Sequence, residues 1–152
     1  LRFERQTRKP LPISYPENPG TIGEHIRRKR MDMRLFQSDV AKILNVSPDC
    51  ITYWENNRAQ PQINYFPRII EFLGFLPFEL DTSTFIGKLK AYRLRNGLSH
   101  KRLGKILNVN ATTIWGWESG ERKPLKGMLA KLNKIFDIQR VDNWEDRNQS
   151  NT

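Results

Sequence analysis

The chain repeats itself. Trp54–Glu55 and Trp117–Glu118 stand 63 positions apart, and sliding the sequence by that distance makes further matches. Thr21 falls on Thr84, Arg30 on Arg93, Leu35 on Leu98, Ile51 on Ile114 and Pro61 on Pro124, while KILNV at 42–46 falls on KILNV at 105–109. The register needs no gap from 21 to 61. Self-similarity at a fixed offset constrains architecture before any single residue does. A unit of about 60 residues is near the lower limit for folding alone, and two copies are too few for a solenoid. The 152 residues therefore read as two small domains, 21–80 and 81–138. A basic, Pro-rich arm (1–20) precedes them and a polar tail (139–152) follows.

Each copy reads as short helices, so the expected fold class is all-α, with four to five short helices per domain. In the first copy, Thr21 to about Met33 makes helix one, with Ile22, Ile26 and Met33 among its apolar positions. "QSDVAKIL" (37–44) makes helix two. Asn45 can adopt a left-handed backbone at low cost and end it. Ser47 is an N-cap residue and Pro48 suits the first helical position, which opens a third helix over 48–56. A fourth follows over about 64–73, with Pro67 in its first turn and Gly74 as its stop. The second copy gives helices over about 84–96, 100–107, 111–118 and 125–136, with Ser99 and Asn110 as caps. Ala41 and Gly104 are small where helix three should cross helix two closely. Two short helices joined by a three-residue turn in this way make a helix-turn-helix. In the join "GFLPFELDTS" (74–83), Phe75, Leu76, Phe78 and Leu80 are expected to pack, and the tail is expected to fray after Trp144.

"LFQSDVAKILNVSPDCITYWENNRAQP" and "LSHKRLGKILNVNATTIWGWESGERKP" resemble the DNA-binding domain of the Cro and phage-repressor (Xre-type) family, twice in tandem. The shared pattern is a Leu, a polar residue opening helix two, a small residue in mid-helix, a turn with Val, then Ile-x-x-Trp-Glu and a Pro-ended loop. The resemblance implies ion pairs tying helix one to helix three, Arg30–Glu55 and Arg93–Glu118. It also implies that the helix-two opening residue bonds a DNA phosphate. Gln37 matches the family there and His100 departs from it. Trp54 and Trp117 are expected in the core.

What stays exposed on helix three should reach base edges in the major groove. Those residues are Ser47, Asp49, Thr52 and Tyr53 in the first copy, and Asn110, Thr112 and Trp115 in the second. Trp115 falls on Thr52, beside Gly116 where the first copy has Tyr53. It reads either as a DNA contact, with Gly116 permitting close approach, or as packing against the other copy. Arg58, Lys101, Arg122 and Lys123 join Gln37 and His100 as phosphate contacts.

Charge supports a polyanionic partner, with a net +10 and an isoelectric point near 10.0. Residues 84–152 hold 14 basic and six acidic side chains, a net of +8, whereas residues 21–83 hold eight of each. The second copy is thus the expected grip. The first is either the discriminating reader or a module for protein contact. Arg2, Arg5, Arg8 and Lys9 suit an arm entering the minor groove, or a leader or linker.

The expected function is sequence-specific binding of double-stranded DNA in transcriptional regulation, repression included, in the cytoplasm on the bacterial nucleoid. The alternatives are an antitoxin-like interaction module, with a homodimer or protein partner at domain 1, and the DNA-binding part of a longer recombinase. No nucleophile–base set, metal cluster or phosphate loop is visible, so neither an enzyme nor a cofactor is expected. One cysteine, Cys50, fits a reducing compartment. No signal peptide is expected, nor a membrane span, at a mean hydropathy of −0.67. The missing initial Met suggests processing or a longer parent chain.

Overall fold

The computed structural model describes residues 14–149, with side chains through Asp137. Most of the expected arm, including Arg2, Arg5, Arg8 and Lys9, lies outside the described residues. Regular structure among the described residues is entirely helical: α1 (Ile22–Asp32), α2 (Gln37–Leu44), α3 (Pro48–Glu55), a 3-10 turn (Ile63–Tyr65), α4 (Phe66–Leu73), α5 (Phe85–Arg95), α6 (His100–Leu107), α7 (Ala111–Ser119) and α8 (Lys126–Gln149). Every bound of α1, α2 and α3 recurs 63 residues later in α5, α6 and α7, apart from one extra residue at the end of α7.

The chain divides into two compact units between Pro61 and Gln62. The 74–83 stretch, expected as the join, falls within the second. α4 does too, although its sequence position is that of the first copy's fourth helix.

In the first unit, α1 opens on a reciprocal cap. Thr21 Oγ1 accepts from the Glu24 N–H at 3.1 Å, and Glu24 accepts from the Thr21 N–H at 3.2 Å. This satisfies two of the helix's orphan donors. Gly23 then lets α1 sit directly on the end of α3, since a Cβ there would fall 1.7 Å from the Trp54 carbonyl oxygen. Asp39 caps α2 by accepting from the Phe36 N–H at 2.8 Å. Asn45 closes it in the left-handed region at φ 54°, and the Val46 N–H reaches back to the Ala41 carbonyl at 2.9 Å. Ile22, Ile26, Val40, Ala41, Leu44, Ile51 and Trp54 are buried. Met33, expected in the apolar set, is the C-cap of α1 and is 49% exposed, because the helix ends one residue before it.

The second unit packs Leu89, Leu98, Leu103, Leu107, Ile114, Trp117, Leu132 and Phe136 into one core, with Phe85 and Tyr92 against Phe136. Its α4 starts with Pro67 in the first turn and stops at Gly74, φ 84°. Ser99 caps α6 by accepting from the Arg102 N–H at 3.1 Å, and Asn108 ends it at φ 57°. A Cβ at Gly104 would lie 2.6 Å from the Val109 carbonyl oxygen and 3.3 Å from the Ala111 nitrogen. The small residue in helix two therefore makes room first for the turn and only then for the start of α7.

Three further expectations change. Asn110 sits at the N-cap of α7 but its side chain makes no capping bond; the Thr113 N–H goes to Asn110's own carbonyl at 3.0 Å. The stretch after α4 is only partly packed: Phe78 stacks on Phe66 yet is 38% exposed, and Phe75 is half exposed. The last helix runs well past 136 and past Trp144, to Gln149. No glycine or proline lies between 128 and 149 to stop it.

Candidate nucleic-acid interface

A buried carboxylate organises the start of helix two and the end of helix three in each unit. In the first, Glu55 holds Arg30 through both oxygens, at 2.7 and 2.9 Å, and accepts from Gln37 Nε2 at 3.0 Å. Arg30 also donates to the Leu35 carbonyl at 3.1 Å, which fixes the corner between α1 and α2. In the second, Glu118 holds Arg93 at 2.6 and 3.1 Å, Arg93 donates to the Leu98 carbonyl, and His100 Nε2 lies 2.8 Å from Glu118. Both carboxylates are almost fully withdrawn from water. Each is neutralised by a bidentate guanidinium, which is what a buried charge requires.

Sequence reasoning missed Arg27. It donates to Asn56 at 2.9 Å and lies 3.5 Å from Glu55. The signal was present, since Arg27 falls on Lys90 in the 63-residue register, so a second basic position is retained in both first helices.

The brace leaves one face of helix three open. In the second unit Thr112 and Trp115 are exposed, Trp115 by 52%, and Asn110 is exposed at the helix start. Lys101, Arg122 and Lys123 are exposed. A shallow groove of about 390 Å³ runs between α6 and α7, lined by Gly104, Lys105, Asn108, Val109, Asn110 and Thr113. Gly116 is buried, not open to an approaching ligand: the aliphatic stem of Arg122 lies over it, and a Cβ would fall 3.0 Å from Arg122 Cδ. The glycine thus seats Arg122 instead of clearing space beside Trp115.

In the first unit Ser47, Asp49, Tyr53 and Arg58 are exposed. Ser47 also caps α3, accepting from the Cys50 N–H at 3.4 Å. Thr52 and Gln37, assigned separately to bases and phosphate, are bonded to each other: Thr52 Oγ1 donates to Gln37 Oε1 at 2.8 Å. Tyr15 leads the preceding chain along α1. Its hydroxyl donates to Asp32 at 2.7 Å, and that bond raises its pKa; the Arg28 guanidinium lies over its ring.

Residues 89–142 match the helix-turn-helix family model, a class of DNA-binding domain. The match begins in α5 and ends in α8, so it lies within the second unit and takes in the short helices α6 and α7. Searches of curated proteins and of solved structures found no match. Among the described residues, no helix is long and apolar enough to cross a membrane, and no group of three or more His, Cys, Asp and Glu is placed to hold a metal ion.

Proposed function

We propose that this chain binds double-stranded DNA in a sequence-dependent way and acts as a transcriptional regulator, a repressor on the bacterial nucleoid being the simplest form. The observation that carries the proposal is the matched helix-turn-helix of the second unit, with α7 open at Thr112 and Trp115 and flanked by Lys101, Arg122 and Lys123. A helix so placed enters a major groove with its first turn toward base edges, while the surrounding cations meet phosphates. Binding, not catalysis, is the proposed activity.

The first unit is proposed as a second helix-turn-helix domain in tandem. Support comes from register. Arg34, Asn45 and Asn57 have positive φ, and so do Gly97, Asn108 and Gly120, each 63 residues later. Its reading face would be Ser47, Asp49, Thr52 and Tyr53. Asp49 can accept from a cytosine amino group. A second reading, protein contact through this unit, is favoured by Phe36, which is 77% exposed.

Selection of bound duplexes from a random pool tests the proposal. A preferred sequence that changes on Thr112→Ala and Trp115→Ala, at unchanged melting temperature, is expected. Recovery of no preferred sequence would sink it. A preference unaffected by Asp49→Ala and Thr52→Ala would remove the first unit as a reader and favour protein contact there.

A further inference from the structure

We infer that the second unit grips a DNA phosphate through His100 in its doubly protonated form, so that binding by this unit takes up a proton while binding by the first does not. The inference rests on the DNA reading above and concerns the chemistry of one contact within it.

His100 is the first residue of α6, and its side chain is 34% exposed. Its Nε2 lies 2.8 Å from Glu118 Oε2. Glu118 already holds Arg93 through both oxygens. A carboxylate so engaged offers only lone pairs, so Nε2 carries the hydrogen. A neutral imidazole has a single N–H, and here it is spent on Glu118. The other ring nitrogen, Nδ1, is then a bare lone pair, which repels a phosphate oxygen. With a second proton, Nδ1 becomes a charge-assisted donor to that oxygen. The same ring can bridge Glu118 and a phosphate only as the imidazolium. The charged groups around it are Glu118 on α7, Arg93 on α5 through the shared carboxylate, and Lys101 and Arg102 on its own helix. An arriving phosphate adds the second negative charge that a bridging imidazolium needs.

The first unit makes the contrast. Gln37 stands at the same register position. Its amide nitrogen gives one hydrogen to Glu55, and its oxygen accepts from Thr52. The Glu55 carboxylate, which can only accept, fixes which way the amide faces and leaves its oxygen to Thr52. A second N–H remains for a phosphate, and no titration is needed. The partner position changes in step: Thr52, which donates to the amide oxygen, is replaced at that register by Trp115, which has no hydroxyl. Gln goes with Thr in one unit and His with Trp in the other.

The test uses the full chain and a labelled duplex recovered by selection, at fixed ionic strength from about pH 6 to about pH 8. Wild type is expected to weaken with rising pH, toward about tenfold per pH unit. Titration calorimetry in two buffers of different protonation enthalpy should then report uptake approaching one proton. His100→Gln, which copies Gln37, should bind with a flat profile, and His25→Gln should keep the wild-type slope. A flat wild-type profile with binding intact overturns the proton coupling and leaves the DNA reading standing. A slope retained in His100→Gln, or a folded His100→Gln that fails to bind at about pH 6, overturns it as well. Absence of duplex binding at any pH overturns the DNA reading and this inference with it. Should His100→Gln lower the melting temperature, imidazole nitrogen NMR of the wild-type complex decides. Two protonated nitrogens on His100 support the inference, and a neutral ring protonated only at Nε2 overturns it.

Discussion

Arg34 holds its backbone at φ 56°, the register position that Gly97 fills at φ 63°. The left-handed region costs an L-residue about 1–2 kcal/mol, and glycine escapes that at an entropic cost of about 0.5–1 kcal/mol. Arg34→Gly should therefore stabilise the chain by about 0.5–1 kcal/mol, seen as a raised denaturation midpoint at unchanged slope. The reverse experiment, Gly97→Ala, should destabilise by at least about 1 kcal/mol. It has a second reason to do so, because the new Cβ would lie 2.9 Å from Pro67 Cδ. The buried carboxylates respond differently. Glu118→Ala leaves Arg93 withdrawn from water with no counter-charge and His100 with no acceptor. A loss of about 3–5 kcal/mol is expected by urea denaturation. Glu118→Gln should cost less, because its amide oxygen still accepts from Arg93.

Helix ends distinguish elements that share a register. α1 begins with the reciprocal Thr21–Glu24 cap, whereas α5 begins with Thr84 and has Gly87 where α1 has Glu24. The Gly20 N–H, then those of Thr21 and the Asn57 amide, hold the Glu24 carboxyl below its ordinary 4.5. A depressed carboxylate stabilises the fold above its unfolded pKa, and that contribution disappears as pH falls through the lower folded value. Partial burial, reinforced by Arg28, likewise holds His25 below its usual value, so charging it on acidification also opposes folding. Melting temperature should fall on acidification, and Glu24→Gln should flatten the part of that fall below about pH 4.5. A variant with the wild-type acid limb would show that the cap contributes nothing there. The bounds of α2 and α6 were legible in the sequence: apolar spacing marked both, a left-handed Asn45 the end of α2, and the Ser99 cap the start of α6. The partnership of Gln37 with Thr52 was not. Both side chains are polar and half exposed, and only the folded geometry shows that they bond each other. Gly116 misled for a similar reason. A glycine beside an exposed Trp suggests an open approach, and the residue that covers it, Arg122, is brought there by a loop whose path the sequence does not specify.

At the scale of the whole molecule, charge is distributed unevenly. Residues 84–152 carry 14 basic and six acidic side chains, and residues 21–83 carry eight of each. Duplex DNA is a polyanion whose condensed counterions are released when protein cations neutralise phosphates. The logarithm of affinity therefore falls linearly with that of salt, with a slope of about −0.9 per phosphate neutralised. If the second unit is the grip, the exposed Lys101 and Arg122 each account for about one such contact. Lys101→Ala with Arg122→Ala should flatten the slope by about 1.8 and weaken binding similarly for preferred and random duplexes, because phosphates carry no sequence information. The Arg122 stem also covers Gly116, so its removal could loosen α7. The melting temperature of the double variant separates the two effects: a flattened slope at an unchanged melting temperature assigns the loss to phosphate contact. An unchanged slope would move the electrostatic grip away from the second unit, toward Arg58 of the first. Trp115→Ala gives the complement. Its loss should lower affinity without altering the salt slope, since an indole neutralises no phosphate.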